Sequence, residues 1–139
     1  MSDLYGWTLE HVAAREDVAR AATAGPWKAE SHYVRGTREV VYSEVHPVAE
    51  LEGNGDGGVL SEADALHIAL NGPDDVLRRC TADRRLLERH QPQQDGSAFP
   101  DSMQCRTCSQ DGGDGYQYLV PAPCPTLRDL AEGYGWAGE

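Results

Sequence analysis

Arg84-Arg85-Leu86-Leu87-Glu88-Arg89-His90, Cys105-Arg106-Thr107-Cys108 and Pro123-Cys124-Pro125-Thr126-Leu127-Arg128 together dictate which distant segments of the chain must meet. The shared pattern is His90-x14-Cys105-x2-Cys108-x15-Cys124. Zinc takes four soft or borderline ligands in a tetrahedron, and two cysteines separated by two residues can bend one backbone turn around a single ion. The other two ligands can come from remote segments. His90 continues the apolar stripe of a helix, since it follows Leu86 and Leu87 by four and three residues. Cys124 lies two residues before Thr126, the expected cap of a last helix, and the positive end of that helix favours a thiolate there. The ligands expected for one structural zinc ion are therefore His90, Cys105, Cys108 and Cys124.

Other roles for these residues stay open at this stage. His46, His67 or Asp101 stand as alternatives to His90. Cys105 and Cys108 could form a redox pair, although no strand–motif–helix pattern flanks them. The fourth cysteine, Cys80, sits in a helical apolar stripe and is expected to be a small buried hydrophobe.

Working outward, apolar residues at helical spacing predict a first helix over Thr8 to Thr23, stopped by Gly25-Pro26. Trp27 to Val34 and Glu39 to Leu51 are rich in strand formers, with a turn at Gly36-Thr37; they predict a hairpin packed on that helix. Gly53 to Gly58 is a loop. Ser61 opens a short helix as a capping box with Asp64, and Asn71-Gly72-Pro73 interrupts it. Pro73 suits the first position of the next helix, expected to run from about Asp74 to His90. Gln91 to Pro100 reads as a connector, residues 112–115 as a turn, and Tyr116 to Val120 as a strand. Thr126 with Asp129 caps the last helix, whose buried side is Leu127, Leu130 and Ala131. The expected fold is α+β: an N-terminal helix with a β-hairpin or small antiparallel sheet, then a helical pair, then a zinc-stapled knuckle and helix. Residues 1–60 and 61–139 form the two expected lobes of one compact domain.

The chain has 139 residues and a net charge of −11. From Glu39 to Leu77 it carries nine acids and no Lys or Arg, whereas Arg78 to Arg89 holds five arginines. A negative chain is repelled by phosphate backbones, which disfavours nucleic acid as a partner. The arginines alternate with Asp83 and Glu88 over several helix faces, which suits local ion pairing. There is no signal-peptide pattern and no apolar stretch of membrane-spanning length, so a cytoplasmic protein with reduced thiols is expected. Glu52 to Gly57 begins like a calcium loop, but position twelve is Ala63. No nucleophile–base pair or hydrolase, zinc-protease or deaminase signature is present, so no enzyme activity is expected.

Several runs occur together and in order: Thr23-Ala-Gly-Pro-Trp27, Asp64-Ala-Leu-His67-Ile-Ala69, Pro73-x2-Val76-Leu77, Arg84-Arg85-Leu-Leu87-x2-His90, Cys105-x2-Cys108 and Cys124-Pro-Thr-Leu-Arg128. In these runs the chain resembles a family of small uncharacterised Cys/His proteins from actinomycetes and their phages. It departs by a long Gly/Asp insertion between Cys108 and Cys124 and by Gly72, where the family tends to a charged or polar residue. The resemblance implies a zinc-type ligand set and a phage or prophage link, and no assigned activity. The expected function is a zinc-stabilised accessory protein that binds another protein through its acidic surface. A nucleic-acid-binding module or enzyme, and a structural or self-assembling subunit, are the alternatives.

Overall fold

The computed structural model describes residues 3–33, 37–43, 47–49, 62–94, 102–113 and 117–138. The fold is α+β, with elements in the order α1 (Leu4–Ala21), β1 (Lys28–Tyr33), β2 (Thr37–Tyr42), β3 (Pro47–Ala49), α2 (Glu62–Leu70), α3 (Pro73–Arg89), β4 (Pro92–Gln94), β5 (Met103–Asp111), β6 (Gln117–Pro121) and α4 (Pro125–Gly133). The chain divides into two compact units, Arg15–Arg79 and Met1–Ala14 with Cys80–Glu139. The lobe boundary expected from the sequence, at 60/61, lies outside the described residues, as do the Gly53–Gly58 loop and most of the calcium-like run.

In the unit Arg15–Arg79, β1, β2 and β3 form an antiparallel sheet in that order. Lys28 pairs with Tyr42 and Tyr33 with Thr37. The single strand expected over Glu39 to Leu51 is instead two, β2 and β3, which pair with each other and shift register at Val41/Tyr42. A run of β-formers specifies strand conformation but not where the chain reverses. Val40 and Val41 are both buried. Consecutive strand residues leave opposite faces, so the central strand is covered on both sides at this point. The helix packed on this sheet is α2, which meets β1 and β2. The sequence had paired the hairpin with the first helix. Ala65 of α2 is fully buried, and its small side chain permits a close approach.

Helix α3 begins at Pro73 as expected, with Asp74 and Asp75 in its first turn and Arg89 in its last. Both charge placements complement the helix dipole. Arg78 pairs with Asp75 at 2.7 Å, and Arg79 donates to the Asn71 carboxamide oxygen at 3.1 Å.

In the unit Met1–Ala14 with Cys80–Glu139, α1 starts at Leu4 rather than Thr8. Asp3 is the reason: its Oδ1 accepts the Tyr5 N–H at 3.1 Å and its carbonyl the Trp7 N–H at 2.8 Å. Thr8 is then fully buried inside the helix, and its hydroxyl donates to the Leu4 carbonyl at 2.7 Å. A second sheet has the order β4-β5-β6. The expected connector after His90 contains β4, whose Pro92 pairs with Cys105.

The core of this unit includes Val12, Cys80, Leu87, Leu127 and Ala131, each no more than 2 % exposed. Each buried leucine contributes roughly 2 kcal/mol by removing its side chain from water. α4 ends in a tight reversal: the Gly135 N–H bonds the Glu132 carbonyl at 2.9 Å and the Trp136 N–H the Ala131 carbonyl at 3.0 Å. Gly135 takes φ +103, which this turn requires and a side chain would resist. The reversal brings Trp136 edge-on to Trp7, with ring centroids 4.9 Å apart.

Candidate metal centre

His90 arrives at the end of α3, its N–H bonding the carbonyls of Leu86 and Leu87 in the last turn. The residue is only 8 % exposed. Cys105 and Cys108 arrive on β5, which runs through the whole motif where a zinc-stapled knuckle was expected. The motif still bends. Cys105 pairs with Val120 and Gln110 with Tyr118, so β5 takes five steps where β6 takes two. The extra residues leave the ladder as a bulge, and this lets both thiols converge.

Ser109 repairs the interrupted ladder. Its hydroxyl donates to the Cys105 carbonyl at 2.7 Å and accepts the Val120 N–H at 2.9 Å. The Thr107 hydroxyl donates to the Arg89 carbonyl, one of the terminal carbonyls that a helix leaves without partners. The bulge thus caps the helix that delivers His90.

Cys124 arrives as the N-cap of α4, with Pro125 at the first helical position. Thr126, the expected cap, lies inside the helix. The reason is that Pro125, preset at helical φ and lacking an N–H, starts the helix two residues earlier. The Cys124 thiol makes no capping bond, so its sulfur is left for the centre.

The four side chains meet. The Nδ1 of His90 lies 3.3 Å from the Cys105 sulfur, 3.4 Å from that of Cys108 and 3.5 Å from that of Cys124. All four donor atoms fall within 4.8 Å of one another. One imidazole nitrogen has a single lone pair or a single proton and can engage one sulfur at a time. Three near-equal sulfur neighbours are therefore the geometry of a shared centre. Tetrahedral zinc with its usual bond lengths would set each N···S edge at about 3.6 Å. His90, Cys105, Cys108 and Cys124 thus form a set that can hold a metal ion.

Without a cation the Cys108 thiol resists ionisation. Burial, then the neighbouring Cys105 and Cys124 thiols, push the Cys108 thiol from its ordinary 9.0 up to about 11. A divalent ion among the sulfurs reverses that preference, because the thiolate is the ligand. Cys105 and Cys124 are fully buried, and Cys108 is partly open.

Of the alternative ligands, His46 and Asp101 lie outside the described residues, and His67 is exposed on α2. Cys80 stands apart from the set; it is 2 % exposed, with its sulfur 3.7 Å from the Tyr134 hydroxyl. That hydroxyl donates to Asp83 at 2.6 Å. Burial, then this bond, push the Tyr134 phenol well above its ordinary 10.0. Sequence reasoning missed Thr107 and Ser109. Their hydroxyls inside and beside the Cys-x2-Cys motif were the available signal, but their partners were not.

A family profile matches residues 1–135, a span that includes all four clustered residues and every described element. The chain belongs to DUF6221, a family of unknown function. No curated protein and no solved structure matches this DUF6221 chain. No helix among its described residues is long and apolar enough to cross a membrane.

Proposed function

We propose that this DUF6221 chain is a non-enzymatic, zinc-stabilised protein that acts by binding another protein. The carrying observation is the donor set, three sulfurs and one imidazole nitrogen within 4.8 Å of one another. Thiolate-rich N/S sets favour zinc over hard, oxygen-seeking cations. Four protein ligands close the tetrahedron and leave no position for a reacting water. The ion then serves as a clamp joining the end of α3, the β5 bulge and the start of α4.

The binding half rests on charge. A net −11, with nine acids and no Lys or Arg from Glu39 to Leu77, suits a basic site on a partner and repels nucleic acid. The resemblance to small proteins of actinomycetes and their phages extends this to a phage or prophage accessory protein. Working in the host cytoplasm, it would occupy a basic site on a host or defence protein.

The clamp is tested by metal analysis of reduced protein purified without chelator. About one zinc per chain is expected, with loss of structure when it is stripped; metal-free folded protein would sink the proposal. The binding half is tested by recovering a partner from host lysate and repeating the capture in salt. Electrostatic binding predicts release between ~0.1 and ~1 M salt. Capture that ignores salt, or no capture, counts against it.

A further inference from the structure

We propose that the unit bearing the metal centre also carries a pocket for a small organic cation with an apolar body. A cavity of about 440 Å3 opens beside the N-terminus of α1, the start of β4 and the residues before α4. That volume is typical of small-molecule sites. Leu127, fully buried, contributes to its lining together with Leu4, Met103 and Pro123.

The charge of the lining selects the ligand. Asp3 is its one formally charged residue, and no Lys, Arg or His joins it among the described residues. Arg128 approaches Pro123 from outside the lining and donates its Nε to the Pro123 carbonyl. The start of a helix ordinarily attracts anions. Here Asp3 inverts that preference, because its Oδ1 already accepts the Tyr5 N–H at 3.1 Å.

The carboxylate is also held in place. A Cβ on Gly6 would fall 2.7 Å from Asp3 Oδ2, so glycine at that position lets the carboxylate lie against the first turn. Tyr5 and Met103 add an aromatic ring and a polarisable thioether to the lining. The ring favours an amidinium or ammonium, and the thioether an aromatic or aliphatic body.

The pocket shares its frame with the metal centre, since Gln91 in its lining follows His90 and Pro123 precedes Cys124. The test therefore uses the full chain as purified, with metal content measured in every sample, so that loss of the centre is read separately from loss of the pocket. Methyl NMR would follow Leu4, Met103 and Leu127 during titration with benzamidine, neutral benzamide and anionic benzoate. Benzamidine is expected to saturate on the order of 1 mM, benzamide at least about threefold higher, and benzoate higher still.

Asp3→Asn is the key variant. Asparagine caps a helix as well as aspartate does, so the helix start survives while the charge is lost. Benzamidine should then bind no better than benzamide. A further arm uses N-acetylarginine amide. If it binds tighter than benzamidine, the pocket takes a partner protein's side chain and the small-molecule proposal is overturned; weaker binding supports it. Equal affinity for all three aromatic probes, no saturable shift at these methyls, or an Asp3→Asn protein that still prefers benzamidine would overturn the proposal.

Discussion

The four cysteines divide three to one by their surroundings. Cys105, Cys108 and Cys124 surround one imidazole nitrogen, while Cys80 sits in the core against Tyr134. Serine at any of the three should abolish stoichiometric metal retention and lower the melting temperature, as should His90→Ala. Cys80→Ala should keep the metal and cost only about 1 kcal/mol; metal content by mass spectrometry, with denaturant midpoints, separates the two classes. Gln104 offers a test of opposite sign. It is 7 % exposed, and its Oε1 is the buried side-chain oxygen without a hydrogen-bond partner among the described residues. Replacing such a group by an apolar one of similar shape removes a desolvation cost. Gln104→Met should raise stability by about 1 kcal/mol at unchanged metal content, read from the denaturant midpoint.

At the scale of elements, the β5 bulge and the α3–α4 link carry separate predictions. Ser109→Ala leaves the Val120 N–H without its acceptor. The variant should lose roughly 1–2 kcal/mol and still bind metal, because no ligand is removed. Tyr134 ties the end of α4 to Asp83 on α3. Its phenol is raised in the folded state relative to 10.0. Stability from this raised group is complete below the ordinary pKa; it declines above ~10, where the unfolded chain ionises first, and is lost as pH rises through the folded value. Denaturant midpoints of wild type and Tyr134→Phe should therefore converge as the pH is taken from ~8 to ~11. A constant gap across that range would show that the hydroxyl is not linked to stability.

For the whole molecule, the two compact units should answer differently to metal removal. The ligands all belong to Met1–Ala14 with Cys80–Glu139, and none to Arg15–Arg79. Chelation should release amide protection in β4, β5, β6 and α4, while β1, β2 and α2 keep theirs. Hydrogen exchange followed residue by residue measures this, and added zinc should restore protection in proportion to its excess over Kd. Uniform loss across both units would mean that they fold as one cooperative body.

Much was legible in the chain itself, for local reasons. Pro73 starts α3, and Leu86, Leu87 and His90 share a helix stripe, because proline geometry and helical period act within a few residues. The Cys-x2-Cys spacing with a remote His and Cys singled out the clustered set, because donor chemistry belongs to the residue type. Features that needed a partner were not legible. Asp3 caps α1 without any apolar period to announce it, and the run from Glu39 to Leu51 divides into β2 and β3 only through its neighbours. β4 is a strand because β5 lies beside it, not because Pro92-Gln93-Gln94 favours that conformation. The zinc knuckle expected from the sequence is in the fold a bulge within a strand, joined by Ser109 to β6 and by Thr107 to the end of α3. Sequence alone determined which atoms can bind a metal. Tertiary structure decided that they stand within 4.8 Å of one another, because strand pairing and helix ends are set by contacts between segments that the order of residues does not contain.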